Sequence, residues 1–276
     1  MATERGGKCF PKNLERARIA GFAMRRGFYF LRSCVHLLWM GVTVVPYSLA
    51  IVVLGGLGAS KVRLYPWARA WLKSSVDAAQ WFCGVRYRLQ GLERVLALGD
   101  VPVVLLMKHQ SAYETLLMPA IMPKPLAYVF KKELLAIPFF GWSIGRLDMI
   151  HIDRADRARA FAKVVSQGRD LLARGVWVIM FPEGTRTPRG EVGSYKLGGA
   201  RLAIETQAYV VPVAVTSGRC WPRRAFVKIP GLVEVSMGPP ISSVGRSAQD
   251  LMLEVQDWIE REMQRLDPEA YVKGEP

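Results

Sequence analysis

Val101-Pro102-Val103-Val104-Leu105-Leu106-Met107-Lys108-His109-Gln110-Ser111-Ala112-Tyr113-Glu114 carries an unbroken apolar run that stops abruptly at a lysine and a histidine. A short run that is apolar at every position reads as a strand buried on both faces, the kind that lies inside a parallel sheet. Working outward, residues 126–130, 176–181, 209–215 and 232–237 repeat the pattern. Between them, residues 155–174 set Ala158, Phe161, Val165 and Leu172 on one helical face, with Gly175 as the stop. Residues 248–266 form an amphipathic helix through Leu251, Val255, Trp258, Ile259 and Met263. Strands alternating with helices predict an α/β fold with a largely parallel central sheet flanked by helices.

The N-terminal part has another texture. A basic stretch containing Lys8, Lys12, Arg16, Arg18, Arg25, Arg26 and Arg32 is followed by residues 33–60, which contain no Asp, Glu, Lys or Arg. About 20 apolar residues suffice to cross a bilayer, so this segment is long enough to be membrane-embedded. Pro46 and the glycines Gly55, Gly56 and Gly58 leave three arrangements open: one crossing, a bend back at Pro46, or two half-buried helices in one leaflet. Basic residues flank both ends, Arg32 before and Lys61 with Arg63 after, so charge asymmetry gives no sharp orientation. A cleaved signal peptide does not fit a run this long that starts well inside the chain. The expected organisation is a basic N-terminus and membrane-anchoring helical segment over residues 1–84, then an α/β domain over residues 85–276.

Net charge is +15, from 38 Lys and Arg against 23 Asp and Glu. Such a balance favours polyanionic partners: nucleic acid, an anionic membrane face or phosphorylated substrates. No nucleic-acid-binding signature accompanies the charge, so the membrane is the expected partner and nucleic acid is not. Cys9, Cys34, Cys83 and Cys220 lie far apart with no CxxC spacing and no histidine cluster. The expectation is therefore reduced cysteines, with neither a disulfide framework nor a zinc site.

With three histidines, general-base candidates are few. His36 lies within the apolar run, and His151 sits in an alternating stretch that reads as a strand; both suit structural roles. His109 directly follows the strongest strand, and strand ends in α/β sheets are where active-site residues gather. Glu114, after a loop entering a helix, can return to the imidazole. A carboxylate fixes the tautomer of a histidine and stabilises its protonated form, which makes it a base for an alcohol. A second candidate, Phe181-Pro182-Glu183-Gly184-Thr185-Arg186, again follows a buried strand. Gly184 permits a tight turn and close ligand approach, and Arg186 offers a bidentate fork for phosphate. Lys131 and Arg154 stand at two further strand ends, so cations from three strand ends can converge on a phosphomonoester.

Together these blocks resemble the lysophosphatidate acyltransferases, the 1-acylglycerol-3-phosphate O-acyltransferases of the glycerolipid acyltransferase superfamily. The resemblance covers residues 85–240 in four ordered blocks. Lys108 to Glu114 matches the first and Lys131-Lys132-Glu133-Leu134 through Asp153-Arg154 the second. Phe181 to Arg186 matches the third and Val211-Pro212-Val213-Ala214-Val215 the fourth. Two positions depart from the family: Glu114 stands where Asp is usual, and Lys108 where Asn is frequent. The resemblance implies a glycerol-3-phosphate acyltransferase-like fold. It also implies transfer of a fatty acyl group from acyl-CoA or acyl-carrier protein to the sn-2 hydroxyl of lysophosphatidic acid, giving phosphatidic acid. In that reading His109 and Glu114 are catalytic, and Lys131, Arg154, Glu183, Gly184, Thr185 and Arg186 bind the acceptor. No metal or cofactor takes part, and the active site faces the cytoplasm from the membrane (the inner membrane in a bacterium). A different lysophospholipid or a lyso-aminolipid acceptor, a thioesterase acting with water, and a basic membrane-binding lipid carrier are the competing expectations.

Overall fold

The computed structural model describes residues 12–153 and 157–272, with side chains described over 25–153 and 161–272. Helix α1 (Lys12–Gly56) is one continuous helix through Pro46. A turn at residues 57–60 leads into α2 (Lys61–Cys83), which ends at Gly84 in the left-handed conformation, φ 70°. The two helices form an antiparallel hairpin. Trp39 Nε1 donates to Ser74 Oγ at 3.0 Å, His36 Nε2 lies 3.0 Å from Ser75 O, and Tyr47 meets Trp67 edge-on. Within α1, Arg25–Gly56 is long and apolar enough to cross a membrane, with a mean hydropathy of 2.2. Of the arrangements left open by the sequence, a chain reversal at Pro46 is not adopted; the reversal comes after Gly56.

Seven strands follow: β1 (Val85–Gln90), β2 (Val103–Met107), β3 (Leu126–Lys131), β4 (Ile150–Ile152), β5 (Trp177–Met180), β6 (Tyr209–Val215) and β7 (Gly231–Met237). Their order across the sheet is β1-β7-β6-β2-β5-β3-β4. The run from β6 to β4 is parallel, β7 is antiparallel to β6, and β1 is parallel to β7. The sheet is thus largely parallel, as the apolar strands predict. Strand β1 went unread because Val85, Tyr87 and Leu89 alternate with Arg86 and Arg88, the pattern of a half-buried edge rather than of a buried run.

Alternation along the central strands sorts side chains into two cores. Val103, Leu105 and Met107 of β2, Trp177 and Ile179 of β5, and Val211, Val213 and Val215 of β6 face one side, where α2 and α4 (Tyr113–Ile121) cover them. Val104, Leu106, Val178, Val210 and Ala214 face the other, under α6 (Arg157–Ala173), α7 (Gly198–Thr206) and α8 (Ala248–Leu266). Val76, Ala79 and Cys83 of α2 belong to the first core, so the hairpin is packed into the sheet through its second arm. Because β6, β2, β5, β3 and β4 are parallel, their C-terminal ends and the loops that follow share one edge.

Candidate active site

At that edge the chain leaves β2 through Lys108 and His109, then enters α4 without a capping side chain at Ala112. Glu114, in the first turn of α4, folds back over the loop instead. Its Oε1 accepts the backbone N–H groups of Gln110 (2.8 Å) and Ser111 (2.7 Å) and lies 2.9 Å from His109 Nδ1. The carboxylate is fully buried. With Nδ1–H donated to an acceptor-only carboxylate, the neutral imidazole presents its lone pair at Nε2. Nε2 has no partner among the described residues, and His109 lines a cavity of about 1120 Å³.

The ring is held from its face as well. Phe181, the first residue after β5, stacks on His109 with centroids 3.9 Å apart and planes 15° from parallel, and Tyr128 of β3 lies beyond Phe181 at 6.0 Å. Burial, helped by the nearby Tyr65 and Glu114, pushes the Tyr128 phenol well above its ordinary range. It therefore stays a hydroxyl, with its oxygen 3.4 Å from Glu114 O.

The backbone of His109 is clamped to the loop after β5. His109 N–H donates to Glu183 Oε2 at 2.8 Å, and Thr187 N–H donates to His109 O at 2.7 Å. Glu183 Oε1 receives Thr187 Oγ1 at 2.9 Å and pairs with Lys108 Nζ at 2.8 Å. Glu183, expected at the acceptor, is here engaged with the protein itself. Both its oxygens are committed to the protein interior, it does not line the cavity, and a carboxylate would repel a phosphate. Lys108, wholly buried, completes its bonds with Glu260 Oε1 of α8 at 2.7 Å and Glu191 O at 3.0 Å. Tyr195 OH also donates to Glu260 Oε1 at 2.7 Å, and burial with the two nearby carboxylates raises its phenol, so the proton stays in place.

Of the other expected residues, Lys131, Gly184, Thr185 and Arg186 line the same cavity as His109. Gly184 has φ 68°, a left-handed backbone that favours glycine, and a Cβ there would press on the mobile end of Lys196. Arg154 lies outside the described residues. Lys196, Arg201, Arg223 and Arg224 also line the cavity. None was singled out by sequence, because nothing in the local pattern separates them from the other basic residues. The opposite end of the cavity is apolar and runs beneath the hairpin, past Val44, Tyr47, Ile51 and Trp71 to Leu147. The arrangement sets the His109 imidazole in one cavity with several cations and a run of apolar side chains, the mix of a few polar groups in a largely apolar lining that small-molecule sites show.

Comparison with known proteins bears on this geometry. The Acyltransferase family matches residues 86–216. The chain is 35% identical over 201 residues to the 1-acyl-sn-glycerol-3-phosphate acyltransferase of Pseudomonas aeruginosa, covering 72% of this chain and 77% of that one. It is 29% identical over 171 residues to 1-acyl-sn-glycerol-3-phosphate acyltransferase alpha of Homo sapiens, covering 61% and 59%. Its fold is similar to the crystal structure of the 1-acyl-sn-glycerophosphate (LPA) acyltransferase PlsC from Thermotoga maritima. The TM-score is 0.73 at 23% identity, covering 89% of this chain and 97% of that one.

Proposed function

As a member of the 1-acyl-sn-glycerol-3-phosphate acyltransferase family this chain is an acyltransferase, and we propose that it acylates the sn-2 hydroxyl of lysophosphatidic acid with His109 as general base. The observation that carries the reading is the His109–Glu114 contact of 2.9 Å, which leaves Nε2 open to the cavity. Nε2 takes the proton of the acceptor hydroxyl as the oxygen attacks the thioester carbonyl carbon. The tetrahedral intermediate collapses with cleavage of the C–S bond, and the imidazolium returns its proton to the departing thiolate. Ester and free thiol result, with no acyl-enzyme, since the acceptor oxygen is itself the nucleophile.

Lys131 and Arg186, from the ends of β3 and β5, hold the acceptor phosphate, with Gly184 and Thr185 against it and Arg154 as a further cation. Glu183 positions the loop rather than touching substrate. The donor is a fatty acyl thioester of CoA or acyl-carrier protein, whose chain occupies the apolar arm under α1 and α2. The apolar helix Arg25–Gly56 attaches the protein to the membrane where lysolipid resides, with the active site at the cytoplasmic face.

The test is transfer from labelled acyl-CoA to lysophosphatidic acid in detergent or liposomes. Wild type forms labelled phosphatidic acid, and His109→Ala loses about 10²–10⁴-fold in turnover while remaining folded. Residual turnover within tenfold of wild type rejects His109 as the base.

A further inference from the structure

Cations line the cavity on both sides of His109, and sheet order places them. The loop after β2 lies between the loop after β6 on one flank and the loops after β5 and β3 on the other. Lys131 and Arg186 come from the second flank. Arg223 and Arg224 come from the first, in the connection between β6 and β7, and line the same cavity. Neither has an ion-pair partner among the described residues.

That connection is built to hold its shape. Trp221 Nε1 donates to Ala225 O at 3.0 Å and Ile229 N–H to Cys220 O at 2.7 Å. Phe226 packs on Phe30 of α1 at 5.2 Å, and Lys228 N–H donates to Ser33 Oγ at 2.9 Å. Arg224 itself has φ 60°. A left-handed backbone is uncommon for a residue other than glycine, and such outliers concentrate at functional positions.

A transferase that brings two anionic substrates to one base must hold two sets of phosphates apart while their reacting atoms meet. Resting on the function proposed above, we propose that Arg223 and Arg224 bind the phosphates of the thioester carrier, opposite the acceptor phosphate across His109. The shared chemistry is the 4'-phosphate of the phosphopantetheine arm, a diester to serine in acyl-carrier protein and part of a diphosphate in CoA; CoA adds its adenosine phosphates. Arginine suits the role because its planar fork meets phosphate oxygens in pairs.

The test compares wild type with Arg223→Ala/Arg224→Gly, glycine being chosen to keep the left-handed turn. Donors are acyl-CoA, acyl-phosphopantetheine, acyl-carrier protein and acyl-pantetheine, the last lacking phosphate. In the double variant KM for acyl-CoA rises at least about tenfold, KM for lysophosphatidic acid holds, and the wild-type preference for acyl-CoA over acyl-pantetheine disappears. A rise for acyl-phosphopantetheine and acyl-carrier protein as large as for acyl-CoA assigns the pair to the pantetheine 4'-phosphate; a rise confined to acyl-CoA assigns it to the adenosine phosphates. Equal rises for acyl-CoA and acyl-pantetheine, or a rise for the acceptor instead, overturn the assignment. So do unchanged kinetics in micelles with weaker binding to anionic vesicles, which would make the pair a lipid-surface contact. Absence of transfer by wild type itself would strike the proposed function rather than this site.

Discussion

Replacing Lys108 with Met removes a charge from the interior while nearly preserving shape, and the consequence can be worked from the contacts. An ammonium has three N–H donors. Lys108 spends them on Glu183 Oε1 at 2.8 Å, Glu260 Oε1 at 2.7 Å and Glu191 O at 3.0 Å. The thioether offers none, so two buried carboxylates are left around an apolar side chain. Removing one partner of a buried ion pair costs about 3–5 kcal/mol, most of it the penalty of the stranded charge. In a chain of this size each kcal/mol lowers the thermal midpoint by roughly 2–4 °C. The expected fall is therefore about 6–20 °C, read by circular dichroism or dye-based melting in one detergent throughout. Adding Glu260→Gln removes one stranded charge and can keep the acceptor for Tyr195, so Lys108→Met/Glu260→Gln should melt above Lys108→Met alone. A Lys108→Met midpoint within about 2 °C of wild type, or strict additivity of the two changes, would refute the view that this lysine neutralises the site from below. Turnover well under the midpoint should fall too, because Glu183 is the acceptor for His109 N–H.

Glu114→Asp withdraws the carboxylate by one carbon–carbon bond, about 1.5 Å, from three nitrogens now at 2.7–2.9 Å. Turnover should drop about tenfold or more with KM little changed; wild-type kinetics would mean that the loop closes the gap freely. Arg186→Ala should raise KM for lysophosphatidic acid about tenfold with a small effect on turnover. Monoacylglycerol, which lacks the phosphate, serves as the comparison, and an equal rise for both acceptors would exclude a phosphate contact.

How much of this was legible depends on the range over which each feature is determined. Continuous apolar runs are local signals, so residues 209–215 and 248–266 were read with the limits that β6 and α8 have. The His109–Glu114 contact was legible because it closes within one loop. The inward turn of Glu183 was not, since it depends on Lys108, and Lys108 in turn on Glu260, 152 residues away. The lysine was visible only as a departure from a pattern, without the partner that explains it. The hairpin was hidden for the same reason. An uncharged run states that a helix tolerates an apolar setting, whereas its pairing rests on contacts such as Trp39 with Ser74. Arg223 and Arg224 gain meaning only when sheet order puts the loop after β6 beside the loop after β2.

That neighbouring of loops and the hairpin together bear on why this chemistry takes place where it does. Helix α1 is apolar on two faces: Val44, Tyr47 and Ile51 wall the cavity, while Leu38, Val42 and Val53 point outward and are exposed at 67%, 61% and 56%. A helix apolar all round is stable only where both sides avoid water. With α1 in the bilayer as proposed, its outer face meets lipid and its inner face meets the acyl chain, so the chain reaches the cavity with little apolar surface wetted. At roughly 0.8 kcal/mol per methylene kept from water, that continuity outweighs any single polar contact in the site. The cations and His109 are then left to fix headgroup, carrier and reacting oxygen. Such a division predicts that polar substitution on the cavity face of α1, as in Ile51→Asn, weakens acyl-chain use while leaving headgroup preference intact. Kinetics with donors of decreasing chain length would measure it: the penalty should shrink as the chain shortens, and a penalty independent of length would place the chain elsewhere.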